Sequence, residues 1–249
     1  MADLSTREGD LLRDSDPDLG KPGDDERLVE SPLDHLRRIE QGHPPDVDGL
    51  VSLSGAPRDD VTASLRRLHE GHGLVLHPAS SAIWVAPPFS ASPAAIWVAT
   101  DTRGWWAPCI WCAFGIVALT APDATIHARL GGEAYETRIV VSAGKLASKD
   151  LLVHFTVPAR DAWKNVIHFC ATVLPFESND EIVDWCARHG LPRGAIVPLE
   201  KVLVLAREWY GSYLDVAWRK WTLAEARAIF ERVGLSDDFW RLPDDDATF

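Results

Sequence analysis

The residues of this chain with the most chemical potential are its cysteines. Cys109 and Cys112 stand at CxxC spacing in the run Trp105-Trp106-Ala107-Pro108-Cys109-Ile110-Trp111-Cys112, which continues into an apolar stretch over 113–119. A third, Cys170, lies in a second apolar run, His168-Phe169-Cys170-Ala171-Thr172-Val173. Thiolates among large apolar groups suit soft ions and thiophilic compounds, whereas hard cations want oxygen. Three thiolates around one ion make a trigonal site suited to Hg(II), As(III) or Cu(I). Cys109, Cys112 and Cys170 are therefore candidate catalytic groups and candidate metal ligands. Trp105, Trp106, Trp111 and Phe169 flank them and are expected to line a pocket that excludes water and accepts an apolar or aromatic group.

Other readings of these residues are weaker or simpler. A zinc site needs a fourth ligand, and the sequence offers neither a second CxxC nor a well-spaced histidine pair. A thioredoxin-like role lacks the βαβ context and the preceding Trp-Cys. Core packing is the plain alternative for Cys109 and Cys112, because free cysteine behaves as a small hydrophobe. Cys186 is read that way. His127, His154 and His168 fall in strand-like segments and read as structural or surface groups.

The elements that must position these groups can be read along the chain. Residues 1–30 are acidic, with few large apolar side chains, and read as a disordered leader. Ser31-Pro32 with Leu33, Leu36 and Ile39 resembles a capped helix start. Asp46 to Leu53 suggests a second helix, and 59–70 a third, with Val61, Leu65 and Leu68 on one face. Leu74-Val75-Leu76 and Ile83-Trp84-Val85 then read as a β-wing, so 31–88 is expected to be a winged-helix-like helical domain. The core that follows, 89–205, carries strands and helices in succession, which makes the whole chain α+β. Ala95 to Ala99 is read as a strand, 106–119 as a helix, and three alternating segments after it as strands. Trp163 to Val173 is read as a central strand. Asn179 to Arg188 is a helix capped by Ser178 or Asn179 and closed by Gly190. A strand at 194–197 and helices at 198–210 and 222–233 complete the chain, with 206–249 taken as a C-terminal helical extension.

Composition narrows the function. The chain has 249 residues, a formal net charge of −12, four cysteines and eleven tryptophans against one methionine. So acidic a surface repels nucleic acid and anionic membrane. A recognition helix at 59–70 would carry Arg66, Arg67 and His69 but also Asp59, Asp60 and Glu70, so nucleic acid is not an expected partner. Four clustered cysteines do not make a secreted disulfide scaffold. No signal-peptide pattern is seen at Met1 and no run is long enough to span a bilayer. A cytoplasmic location, with reduced thiols, is the expectation.

At the two cysteine runs the sequence resembles the organomercurial (alkylmercury) lyase family. The family's first signature is a cysteine, an aspartate three residues on, and an apolar run containing Ala-Leu. Ala107-Pro108-Cys109-Ile110-Trp111-Cys112, continuing to Ala118-Leu119, fits it without a gap, except that Cys112 stands where the aspartate belongs. The second signature, a Phe-Cys pair leading to a helix with Asp-Trp, is matched by Phe169-Cys170 and Asp184-Trp185. The resemblance covers about residues 31–205 and implies a winged-helix-like domain before a mixed-sheet α/β catalytic core over 89–205.

In that family two cysteines take mercury as thiolates and a carboxylic acid passes a proton to the departing carbon. The resemblance thus implies a lyase acting on an organomercurial or related small organic compound. Cys109 would be the attacking thiolate, Cys170 the second, and Cys112 a substitute proton donor or third ligand. No cofactor is required; a soft ion (Hg, As or Cu) would be substrate or ligand. The alternative is a non-catalytic soft-metal or thiol-reactive sensor using the same three cysteines, and a third reading is a metal-responsive transcription factor. Oligomeric state is left open.

Overall fold

A computed structural model describes residues 46–133, 135–147, 150–213, 215 and 219–244. The acidic leader, the helix start at Ser31 and the last two aspartates of the tail lie outside the described residues. The chain divides into two compact units, one of residues 1–87 with 213–220 and one of 88–212 with 221–249. The structure is α+β, as the sequence implies. No helix among the described residues is long and apolar enough to cross a membrane.

The smaller unit contains helices α1 (Val47–Ser54) and α2 (Arg58–Glu70) and a two-stranded hairpin, β1 (Val75–Leu76) and β2 (Ile83–Ala86). Asp46 caps α1 by accepting the Gly49 N–H at 2.7 Å, and Gly55 ends it in the left-handed conformation. Val61, Leu65 and Leu68 of α2 pack with Leu74, Leu76 and Ile83 into a separate core. The 3.6-residue spacing read from the sequence thus sets which face of α2 is buried.

The larger unit is built on an antiparallel sheet of β3 (Phe89–Ser90), β4 (Ile96–Ala99), β5 (Gly104–Ala107), β6 (Ala124–Arg129), β7 (Glu136–Ser142) and β8 (Lys145–Leu146). Their spatial order is β3-β5-β4-β6-β7-β8. Helix α3 (Ile110–Thr120) carries the chain from β5 to β6. Those two strands run parallel to each other, but β4 lies between them and pairs antiparallel with both. The resemblance implies a mixed sheet; the inserted strand makes the observed pairings antiparallel instead.

A second antiparallel sheet has the order β10-β9-β11, from β9 (Leu152–Phe155), β10 (Leu174–Phe176) and β11 (Ala195–Pro198). The expected strand at 163–173 is not one. A 3₁₀ segment, Ala159–Asn165, runs into helix α4 (Val166–Ala171), which Asn165 caps by accepting the His168 N–H at 2.9 Å. Helix α5 (Asn179–His189) is capped by Ser178 and closed by Gly190. Helix α6 (Leu199–Tyr210) crosses residue 206 unbroken, so the segment read as an extension begins inside a core helix. Helix α7 (Leu223–Val233), opened by a Thr222–Glu225 capping box, packs on α6 in the same unit.

Helix α3 is the centre of this unit. Nine of its eleven residues are buried, Ile110 through Val117 and Leu119, which is the signature of a helix enclosed on every side. Gly115 permits its closest contact: a Cβ there would lie 2.5 Å from the Tyr210 ring of α6. The sequence folds around a helix that begins at a cysteine.

Candidate functional site

Strand β5 delivers the chain through Pro108 to Cys109, which is the N-cap of α3 in extended conformation. Its sulfur accepts the backbone N–H of Cys112 at 3.3 Å. CxxC spacing at a helix start has this consequence: the N-cap and third helical residues meet, as in a capping box, here with two thiols. Cys170 arrives from α4, and the two elements are tied where the Ile110 N–H donates to the Val173 carbonyl at 3.4 Å. The three sulfurs lie within 4.8 Å of one another. Cys109, Cys112 and Cys170 are 0 %, 3 % and 6 % exposed. No other group of three His, Cys, Asp or Glu side chains converges in this way among the described residues.

One further polar group joins them. The Tyr210 hydroxyl, from the end of α6, stands 3.6 Å from the Cys112 sulfur, and Tyr210 is itself buried. No sequence motif reaches Tyr210, which is 98 positions from its partner. The signal that could have pointed to it is the burial rhythm of α6, where Val202, Leu203, Ala206, Trp209 and Tyr210 share the inward side.

The electrostatics separate the three thiols. Hydrogen bonds from the Cys109 and Cys170 thiols, outweighing burial, and a further one from Tyr210 hold Cys112 well below the ordinary thiol range. Burial, followed by the hydrogen bond given to Cys112, pushes Cys109 well up. Cys170 is raised by donating to Cys109 and Cys112, with burial adding to it. Among the three, the hydrogen bonds thus favour the thiolate form at Cys112 and the thiol form at Cys109 and Cys170. The start of α3 contributes a partial positive charge to the same place.

The aromatic residues expected around the thiols divide between two places. Trp111, between the CxxC cysteines, packs edge-on against Phe169 at 6.3 Å and Trp209 at 5.3 Å, and 6.0 Å from Tyr210. Trp105 is buried against Phe89. Trp106 follows it in β5 and so faces the opposite side of the sheet, where it meets Trp97 at 4.7 Å. The indole N–H groups of Trp105 and Trp111 are buried with no hydrogen-bond partner among the described residues.

Cys186 stands apart from the cluster, buried with its sulfur 3.8 Å from His154 and 3.8 Å from the Pro192 carbonyl. His154 is wholly buried in β9, His127 pairs with Glu136 at a half-exposed position, and His168 lies in α4 rather than a strand.

Comparison with known proteins bears on this site. The family model described as alkylmercury lyase (MerB) matches residues 89–211, a span that holds all three cysteines and Tyr210. Among solved structures, the mercury-bound form of MerB2 is similar in fold, with a TM-score of 0.57 at 20 % sequence identity over 86 % of this chain and 98 % of that one. No curated protein sequence matches the chain. The resemblance carried by the cysteine motifs therefore holds over residues 89–211, as an alkylmercury lyase domain.

Proposed function

We propose that this chain takes an organomercurial, or a related small thiophilic compound, at Cys109, Cys112 and Cys170 and cleaves its carbon–metal bond by protonolysis. Mercury enters as substrate, and no resident cofactor is called for. The observation that carries this reading is the meeting of three buried sulfurs within 4.8 Å inside the residues the family model matches.

The chemistry follows from the protons. In a compound R–Hg–X the Cys112 thiolate displaces X⁻ and bonds to mercury. A second thiol, from Cys109 or Cys170, then ligates the metal, which makes its S–H acidic. The proton it loses is the one the carbon needs: the C–Hg bond breaks with its electron pair on carbon, and R–H departs. The products are a hydrocarbon, X⁻ and Hg(II) held by two thiolates. Trp111, Phe169 and Tyr210 keep water from the transfer, which strengthens each charge interaction inside. The resemblance assigns first attack to Cys109; the hydrogen bonds gathered on Cys112 favour Cys112 instead. A reducing compartment such as the cytoplasm would keep the thiols free.

A second reading is a holder or sensor of soft ions that does not turn over. It is favoured by the third sulfur itself, since a thiol in place of a carboxylic acid keeps the metal that it helps to free.

The full chain mixed with phenylmercury should release benzene, read by headspace chromatography. Cys170→Ser should slow release by about 10²–10⁴-fold, the usual worth of a placed proton donor. Cys112→Asp supplies the family's carboxyl group and passes first attack to Cys109, the role the resemblance gives it, so benzene release should persist. Mercury bound by the wild type with no benzene from either protein sinks the catalytic reading and leaves the holder.

A further inference from the structure

We propose that the same cluster is a trap for trivalent arsenic, taking arsenous acid as a neutral tris-thiolate. This goes beyond mercury chemistry and rests only on the convergence of the sulfurs, not on carbon–metal cleavage.

Geometry comes first. A thiolate–metal bond near 2.3 Å places two sulfurs on one central atom no more than about 4.6 Å apart. Three sulfurs sharing one such atom lie about 3.5–4.0 Å apart; the three here already lie within 4.8 Å of each other, so side-chain shifts of about an ångström or less bring all three onto one atom.

Charge then selects the atom. Three thiolates on Cu(I) leave two negative charges, on Hg(II) one, and on As(III) none. Among the described residues, the groups acting on these sulfurs are one another, the Tyr210 hydroxyl and the Cys112 backbone N–H, and none of them is a cation. The start of α3 offers about half a positive charge, which offsets an anion only in part. An unpaired charge in surroundings this buried is costly. Mercury is therefore best served by two of the sulfurs, as a neutral dithiolate. Arsenic alone among the three ions makes full and neutral use of the third.

The reaction balances without an oxidant or reductant. Three As–O bonds of arsenous acid break and three As–S bonds form; each thiol proton leaves on a hydroxyl, so three waters depart and arsenic stays trivalent. A cysteine present as thiolate takes its proton from solvent.

The full chain exposed to arsenite and examined by native mass spectrometry should gain one arsenic less three hydrogens. Cys186→Ser should leave uptake unchanged, because Cys186 belongs to another cluster. Cys109→Ser, Cys112→Ser and Cys170→Ser should each weaken it by more than ~100-fold, beyond the range for loss of an outer partner of a metal site. A gain of one arsenic and a hydroxyl less two hydrogens would mean two-thiol attachment and overturn the proposal, as would no uptake at all. If a serine variant loses its fold by circular dichroism, the mass gained by the wild type decides alone. Failure here leaves benzene release from phenylmercury untouched, so the two readings fall separately.

Discussion

At the scale of single residues, His154 shows how this fold spends a titratable group on structure. Its Nε2 accepts the Gly194 N–H at 3.0 Å, so the ring proton sits on Nδ1, 3.4 Å from the Thr156 hydroxyl. Gly194 cannot carry a side chain there, because a Cβ would run into the Phe155 carbonyl oxygen. Burial, and then the charge of Arg193, lowers the His154 pKa to about 4. The unfolded chain binds a proton at this residue below about pH 6.5 and the folded chain does not until about pH 4. Stability from this group is thus complete above pH 6.5 and is lost as pH falls between those values, to a total of about 3 kcal/mol. Urea unfolding at pH 7 and pH 4.5 should show that loss, and His154→Gln should flatten it. An unchanged slope in the variant would mean that other groups carry the pH dependence.

At the scale of elements, the contact between α3 and α6 does the most to build the thiol site. Gly115 lets the Tyr210 ring lie against α3, which brings the phenol to Cys112 one turn earlier. Gly115→Ala should therefore cost about 1–3 kcal/mol as overpacking, despite the better helix propensity of alanine. Thermal unfolding measures the loss, and a stabilised variant would refute the tight contact. Much at this scale was legible beforehand. The cap at Ser178 and the glycine at 190 start and end helix α5 where the sequence says they should. Cys109, Cys112 and Cys170 were legible as a set because two spaced motifs named them. What escaped was non-local or ambiguous. Tyr210 reaches its partner only through tertiary packing. The run 166–173, rich in apolar and β-branched residues, reads equally as strand or buried helix, and a single asparagine cap at 165 decides for helix. Trp105 and Trp106 are adjacent in sequence, yet neighbours in a strand face opposite ways, and their ring partners differ accordingly.

At the scale of the whole molecule, charge argues about partners. The chain carries a net −12, and α2 sets exposed Arg66 among exposed Asp59, Asp60 and Glu70. Phosphate neutralisation supplies most non-specific affinity for nucleic acid, and this surface has little to offer it. Duplex DNA at physiological salt should show no mobility shift with the full chain. A shift that weakens as salt rises would instead support the metal-responsive regulator and reopen the role of the smaller unit.

Trp111 gives the molecule an optical consequence. Its indole lies between two of the thiols in sequence and touches Trp209, which in turn lies 6.2 Å from Trp163. Excitation passes readily between indoles so close. A heavy atom bound beside an excited ring opens a non-emitting path through spin–orbit coupling. Light absorbed across this group of tryptophans should therefore drain toward Trp111, the residue flanked by Ile110 and Cys112 in the CxxC turn, and the protein's own emission becomes a gauge of how full the cluster is.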